Sequence, residues 1–427
     1  SYTSNWIKLN NGLAITQFMG GDGHNGTNGH IYGGAQDNGS LVYSGTGTNW
    51  TDIYGGDGGF TQVDPTDGNY MYGEYVYLYV HRKTATTSSA RDIYSGISDA
   101  GNGNNALFYA PIRLDPNNPN TLYAGGASLW RSQNVKTSVP TWSAVSSSSN
   151  LISQIAVAKG NSDIVWFGDT GGRLYYSSNA TAAQPTFTVK GTGTLPARSV
   201  LSLLIDKTTN TTVYAGFSGF TSGNLWKTTN SGASWTNISG NLPQSGILAI
   251  ERHPTNANYL YVGTEVGLFA STDGGATWST SNDGPANTPV MGLFWLDSST
   301  LIASTHGRGM FKATLSTSTT NYNLSYTKAG AGSGTVAFSS GSNASCSSTC
   351  TNTYTSGTSV TLTATASTGA SFAGWSGACS GTSTTCVVTM SSAQSVTATF
   401  NTAPSFTLTY TKAGTGSGSV AFSSGST

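Results

Sequence analysis

Charge is what this chain has least of: 18 Lys and Arg and 18 Asp and Glu among 427 residues, 8% in all, with zero net charge. No basic stripe interleaved with aromatics exists to release counterions from a phosphate backbone, so nucleic acid is excluded as an expected partner. Apolar runs are short. None approaches the roughly 18 residues of a membrane-spanning helix, so no membrane span is expected. No cationic leader with an apolar core precedes Ser1, and the chain reads as the mature form of an exported protein. Cysteine is absent outside two short loops, CSSTC (Cys346, Cys350) and CSGTSTTC (Cys379, Cys386). Flanked by alternating Thr, Val and Ser, they read as two local disulfides formed in an oxidising compartment. The alternative, a four-cysteine zinc site, lacks both CxxC spacing and a nearby His. P-loop, GxSxG and reactive-cysteine patterns are missing too.

What is abundant is Gly, Ser, Thr and Asn, arranged in repeats. The unit is an apolar strand, a polar turn often holding Asp-Pro, a strand ending in Tyr-x-Gly, a Leu-Trp/Phe-x-Ser/Thr strand, and a final Trp-Thr-x-Ile segment. Clear copies start at Ile112, Leu203 and Ile250. Seven units are counted, near 15–53, 60–93, 108–145, 152–190, 200–238, 247–281 and 290–315. The last has three strands, while Asn5-Trp6-Ile7-Lys8-Leu9 supplies a Trp-x-x-Ile strand. An N-terminal strand that completes the last unit would close a ring and remove two exposed sheet edges. The expected fold class is therefore all-β: a seven-bladed β-propeller over 1–315, a linker at 316–322, a small disulfide-pinned β repeat over 323–401, and the start of a second copy over 402–427. Residues 407–427 repeat 323–343 nearly letter for letter, sharing YTKAG, GSG and VAFSSGS.

STDGGATW (Ser271, Asp273, Gly275, Thr277, Trp278) resembles the Asp-box of sialidase-type repeats, and TTNSGASW, with Asn230 at the Asp position, is a degenerate copy. The resemblance implies a structural turn: Asp accepts amide hydrogens, Gly takes positive φ, and Trp packs between blades. GGAQDNGS, GGDGG and STHGRGMF extend the likeness to exported bacterial propellers related to glycosidase and sortilin-type repeats. GWSGACSGTSTTCVVTMSSAQSVTATF resembles the divergent internalin-B-type repeat of bacterial surface proteins, carried by Gly374-Trp375-Ser376-Gly377 and Val396–Phe400.

Acidic residues that could do chemistry are few. Asp22 in GGDGHNG, Asp37 in GGAQDNGS and Asp57 in GGDGG lie in Gly-rich segments read as turns, with Asn38 and Glu74 in the same region. Asp22, Asp37, Asn38 and Asp57 could hold calcium, which prefers oxygen ligands. Asp22, Asp37, Asp57 and Glu74 are also the candidate carboxyls for glycoside hydrolysis. The plain alternative is that each Asp serves its own turn. Sialidase chemistry would require three converging arginines, which the scattered arginines here do not suggest; xyloglucanase-type enzymes imply a cleft between two propellers, and seven units make one. His306 in THGRG reads as a turn residue. Tyr70, Tyr72, Tyr75, Tyr77 and Tyr79 read as paving one strand face, for packing or for sugar stacking.

The expected function is a non-enzymatic extracellular or cell-surface protein. Its propeller would be a binding or display head, and its repeats a stalk that self-associates by strand addition, possible partners being glycans or surface polymers. A secreted glycoside hydrolase with a carbohydrate-binding appendage is the alternative. No cofactor is required by either reading.

Overall fold

In the computed structural model the described residues are 5–8, 16–25, 30–43, 45, 50–279, 284–315 and 321–422. Most of the 316–322 linker, Asn49 of the Asn49-Trp50-Thr51 sequon, and the last residues up to Thr427 lie outside them. The described residues hold strands and turns but no helix, and so no helix long and apolar enough to cross a membrane. The chain divides into two compact units, Ser1–Ser316 and Thr317–Thr427.

The first unit contains seven small antiparallel sheets, spanning 18–54, 61–92, 112–147, 152–190, 200–237, 247–271 and 290–314. Six have four strands; the sixth in chain order has three among the described residues. The fourth strand of the last sheet is Asn5–Lys8, which pairs antiparallel with Gly309–Thr314 in the register Asn5↔Thr314 to Lys8↔Phe311. The first strand of each sheet is its innermost. Phe18–His24, Thr61–Val63, Ile112–Leu114, Ile152–Val157, Val200–Ile205, Ile247–Arg252 and Val290–Trp295 contact one another in that order, and the last returns to the first. A propeller-like ring results.

Packing explains why sheets this small are stable. The second strands are almost wholly buried, among them Val165–Asp169, Val213–Phe217 and Leu260–Thr264, because they face a neighbouring sheet on both sides. Such strands read as continuous apolar runs rather than alternating ones. Tryptophans near the outer strands clamp three of the sheets, the third, fifth and sixth, to the one before. Trp142 Nε1 donates to Ile93 O at 2.7 Å, Trp278 Nε1 donates to Ile238 O at 2.9 Å, and Trp235 meets Trp166 edge-on at 6.1 Å.

Each clamp is presented by the same kind of turn. Ser271 Oγ donates to Asp273 Oδ1 at 2.8 Å, the Gly275 amide donates to Ser271 Oγ at 2.9 Å, and the Thr277 amide and hydroxyl donate to the Asp273 carboxylate at 2.9 and 2.6 Å. Gly274 and Gly275 hold φ of 75° and 95°, where a side chain would be strained. Burial would raise the Asp273 pKa, but the hydrogen bonds from Thr277, Ser271 and Ala276 outweigh it and bring it down to about 2. The same bonds recur at Thr228, Asn230 and Ser234. They recur twice more where the sequence shows no such motif: Asn134 joins Ser132 to Thr141, and Asn179 joins Ser177 to Thr186. Inserted residues in both turns hide the pattern from a sequence reading.

The second unit is a sandwich of two four-stranded sheets around a core that includes Leu324, Tyr326, Val336, Leu362, Trp375 and Phe400. Asn321–Ala329 runs parallel to Gln394–Thr402, so the repeat closes on its own first strand. Disulfides join Cys346 to Cys350 and Cys379 to Cys386, with Cα atoms 6.4 and 6.1 Å apart, and no described cysteine is free. Both bridges pin short excursions at sheet edges, and the zinc alternative is thereby set aside. Residues 403–422 form no strand. Leu408, Tyr410, Val420 and Phe422 are exposed, whereas their counterparts in the first copy, Leu324, Tyr326, Val336 and Phe338, are buried. The two stretches are nearly identical in sequence, but the first is paired in a sheet and the described part of the second is not.

Deleting residues 1–8 leaves Gly309–Thr314 as an open edge strand. We expect a lower melting temperature and concentration-dependent association, measured by differential scanning calorimetry and light scattering; an unchanged transition would show that the N-terminal strand does not hold the ring.

Candidate functional site

The candidate residues separate into two places at opposite ends of the inner strands. Asp22 does not lie in a turn. It sits within the strand Phe18–His24, opposite Tyr32, and faces the channel enclosed by the ring. The glycines around it are needed because neighbouring chain comes close: a Cβ on Gly20 would lie 3.0 Å from Gly59 O. Asp22 Oδ1 accepts from the Gly23 amide at 2.9 Å and Oδ2 from the Val63 amide at 2.8 Å. Burial pushes its pKa up to about 6, against the opposing pull of those amides and of the Arg113 and Lys207 charges. A calcium site built from Asp22, Asp37, Asn38 and Asp57 is therefore not assembled, since Asp22 is separated from the rest. No cluster of three or more His, Cys, Asp or Glu suited to a metal occurs among the described residues.

Asp37, Asn38, Asp57 and Glu74 lie together at the other end, on the seam between the first two sheets. Asp37 occupies the turn after His30–Ala35, exposed, with a left-handed φ of 58°. Its amide donates to Asp57 Oδ1 at 2.9 Å, and Asn38 Nδ2 donates to Gln36 O at 2.9 Å. Glycine makes the seam possible. The Gly58 amide donates to Ala35 O and the Gly59 amide to Glu74 O, so the 57–59 loop bridges the two sheets. A Cβ on Gly58 would fall 2.4 Å from Gly39 O, and one on Gly59 2.1 Å from Glu74 Oε2. Backbone leaves no room for a side chain at Gly58, and one at Gly59 would have to displace the Glu74 carboxyl.

Glu74 is fully buried at the end of Met71–Glu74. Its Oε1 accepts from the Leu78 amide at 3.1 Å, while Oε2 is buried without a hydrogen-bond partner. Burial above all, with the nearby Asp57 charge added, pushes its pKa well above the carboxylate range, although the Leu78 and Ala110 amides pull the other way. Burial thus favours the protonated form of Glu74. Tyr109 stands beside it: burial and the charges of Asp57, Asp37 and Glu74 push its phenol up, and its hydroxyl is buried without a partner.

Aromatic rings surround these carboxyls. Tyr75–Tyr79 is not the paved strand that the alternation suggested but a turn, with Tyr77 and Leu78 at positive φ. It splays its tyrosines outward while Leu78 goes into the core. Tyr75 stacks with Tyr79 at 6.3 Å and 11°, Tyr79 packs on Tyr94 at 4.5 Å, and Tyr77 meets Phe108 edge-on at 5.3 Å. Phe108 in turn lies edge-on to Tyr109 at 4.9 Å and is 41% exposed. Tyr72, by contrast, is wholly buried, and Tyr70 lies under the Lys136 ammonium. Phe108 and Tyr109 escaped the sequence reading. Their signal was the long connection 93–111, whose chain ties to the tyrosine turn through the Tyr77 amide to Phe108 O and the Gly101 amide to Tyr77 O. His306 lies at the same end, its Nε2 3.4 Å from Gln36 Oε1.

Comparison with known proteins adds three findings. Residues 334–404 match the model of the divergent InlB B-repeat domain. A xyloglucanase of Hypocrea jecorina (strain QM6a) is 39% identical over 100 residues, which is 23% of this chain and 11% of that protein. Among solved structures, a GH74 enzyme of Niastella koreensis superposes with a TM-score of 0.52 at 19% identity, over 72% of this chain and 53% of that one. YCF48 from Cyanidioschyzon merolae does so at 0.55 and 11%, over 72% and 98%. These likenesses establish a propeller-like fold. The chain spans about a tenth of the xyloglucanase and about half of the GH74 enzyme.

Because burial favours the protonated form of Glu74, Glu74→Gln, which keeps its shape, is expected to change unfolding free energy by less than ~1 kcal/mol. Glu74→Ala, which leaves the Leu78 amide unpaired, costs about 1–3 kcal/mol by urea denaturation at pH 7. Asp22 behaves differently with pH. Its folded pKa lies above the unfolded value of about 3.9, so the folded state holds the extra proton and stability contributed by Asp22 falls as pH rises from about 4 through 6. An Asp22 carboxyl titrating below 4 by NMR would contradict this.

Proposed function

We propose that the first unit is a seven-bladed, secreted propeller of glycoside-hydrolase type, engaging a β-glucan chain on the face that carries Asp37 and Asp57. The observation that carries this reading is the conjunction of the two water-accessible carboxylates with the ring cluster of Tyr75, Tyr79, Tyr94 and Phe108 on one seam. Sugar rings stack on aromatic faces, and glycosidic cleavage uses one carboxyl to protonate the leaving oxygen and a second to activate water or to attack. Of the four candidates, Asp22 is at the far end and Glu74 has no exposed surface, so Asp37 and Asp57 remain. Asp37 is the carboxyl that meets substrate; Asp57 holds the Asp37 turn through Oδ1 and offers Oδ2. The partial likeness to a xyloglucanase points to a β-linked glucan backbone as substrate class. On the same reading the Ser-x-Asp turns are sialidase-type Asp-boxes, structural devices that aim the tryptophan clamps.

The test is incubation of the full chain with soluble xyloglucan and unbranched β-glucan, followed by reducing-end and binding assays. Hydrolysis is expected, with Asp37→Asn slowing it about 100- to 10,000-fold and leaving binding intact. Neither binding nor turnover, or full activity in Asp37→Asn, would overturn the proposal. Binding without turnover would favour a second reading, a glycan-binding head without catalysis, which the use of Asp57 Oδ1 in holding a turn supports.

For the second unit we propose that residues 402–427 begin a further repeat, whose exposed Leu408, Tyr410, Val420 and Phe422 require another sheet. Strand addition to a second copy is one source of that sheet. Light scattering on chains ending at Pro404 and at Thr427 tests it, and equal assembly of the two would exclude strand donation.

A further inference from the structure

The channel of the ring holds a second site that the glycan-facing seam does not use. It is a cavity of about 430 Å³ lined by residues from all seven inner strands, among them Asp22, Arg113, Gln154, Lys207, Glu251 and Trp295. Arg113 is the guanidinium among them. From the strand Ile112–Leu114 its guanidinium reaches into the channel, where Nε donates to Ile155 O at 3.2 Å. Among the described residues Arg113 makes no other hydrogen bond and no ion pair.

Both carboxylates nearby are already engaged. The Asp22 oxygens are held by the Gly23 and Val63 amides, and Glu251 pairs with Lys207 at 3.1 Å. They act on Arg113 only through space, and burial lowers the Arg113 pKa. Arg113 is partly buried, and with no protein acceptor on them its two terminal nitrogens are free to meet an acceptor that enters the channel. We propose that the channel binds a compact carboxylate ligand, such as a uronic acid or a short organic acid, with the two Arg113 Nη atoms as its bidentate anchor.

Fork geometry suits a carboxylate, which accepts two parallel hydrogen bonds in the guanidinium plane. Charge sets the valence. Arg113, Lys159 and Lys207 against Asp22 and Glu251 give three positive and two negative groups, a net of one positive charge. One carboxylate neutralises that charge, whereas a phosphate dianion leaves an excess negative charge among the carboxyls. The remaining wall includes Phe60, Leu114 and Trp295, which receive the apolar face of a sugar or alkyl body, and Gln154 keeps its Oε1 available for a hydroxyl while Nε2 donates to Leu201 O at 2.6 Å.

The experiment is titration of the full chain with glucuronate, acetate, glucose and inorganic phosphate, followed by calorimetry and by tryptophan fluorescence, since Trp295 lines the cavity. Saturable one-to-one binding of glucuronate is expected, with acetate weaker, glucose silent, and phosphate at least tenfold weaker than glucuronate. Arg113→Gln removes the binding. Arg113→Lys keeps the charge but not the fork and weakens it about tenfold; this variant carries the test should Arg113→Gln fail to fold by circular dichroism. No saturable carboxylate binding at about 10 mM, equal binding by Arg113→Lys and the parent chain, or phosphate binding tighter than glucuronate would each overturn the proposal. Because Arg113 lies at the other end from Asp37, hydrolysis of β-glucan is independent of either result.

Discussion

Everything in the first unit depends on closure of the ring of inner strands. A sheet of three or four short strands has two apolar faces and cannot bury either alone. Each second strand is buried only because a sheet stands on both sides of it. The pairing of Asn5–Lys8 with Gly309–Thr314 removes the edge that would otherwise end the series. Tryptophan clamps presented by Ser-x-Asp, Ser-x-Asn and Thr-x-Asn turns tie three of the sheets to their predecessors. A chain with so few charges can be stable in this form because hydroxyl and amide side chains satisfy its turns locally, and little ionic surface is needed where backbone groups are already paired.

Closure also creates the two sites. Where sheets meet at one end, glycines at 58 and 59 let the loop between the first two sheets press into the seam, which brings Asp57 to the Asp37 turn and buries Glu74. Where inner strands converge, the channel gathers charged side chains from different sheets, and Arg113 is left with fewer partners than its chemistry asks for. One site is exposed, acidic and aromatic; the other is enclosed and carries a small positive excess. The ligands we propose for them differ for that reason.

Much of the architecture was legible in the sequence because its signals are local. The all-β class follows from short apolar segments separated by turn residues, the disulfides from cysteines only a few residues apart, and the internalin-B-type repeat from Gly374–Gly377 and Val396–Phe400. The grouping of the site residues was not legible. Asp22 and Asp37 both stand in Gly-rich stretches, yet one lies in a strand and the other in the turn beyond the neighbouring strand, and antiparallel pairing sends them to opposite ends. Tyr75–Tyr79 carries strand-like alternation, but positive φ at Tyr77 and Leu78 makes it a turn, held by the 93–111 connection. Arg113 looked like one of several scattered arginines, since only the closed ring shows which residues share a channel.

The glycan-facing role we propose for the seam is tested most directly by hydrogen–deuterium exchange of the full chain with and without a soluble β-glucan oligosaccharide. Protection confined to segments 35–39, 55–60, 74–80 and 105–110 is the outcome that follows from the placement of Asp37, Asp57 and the aromatic rings. Protection that falls instead on the sandwich at 321–402, or no protection at saturating oligosaccharide, would contradict it.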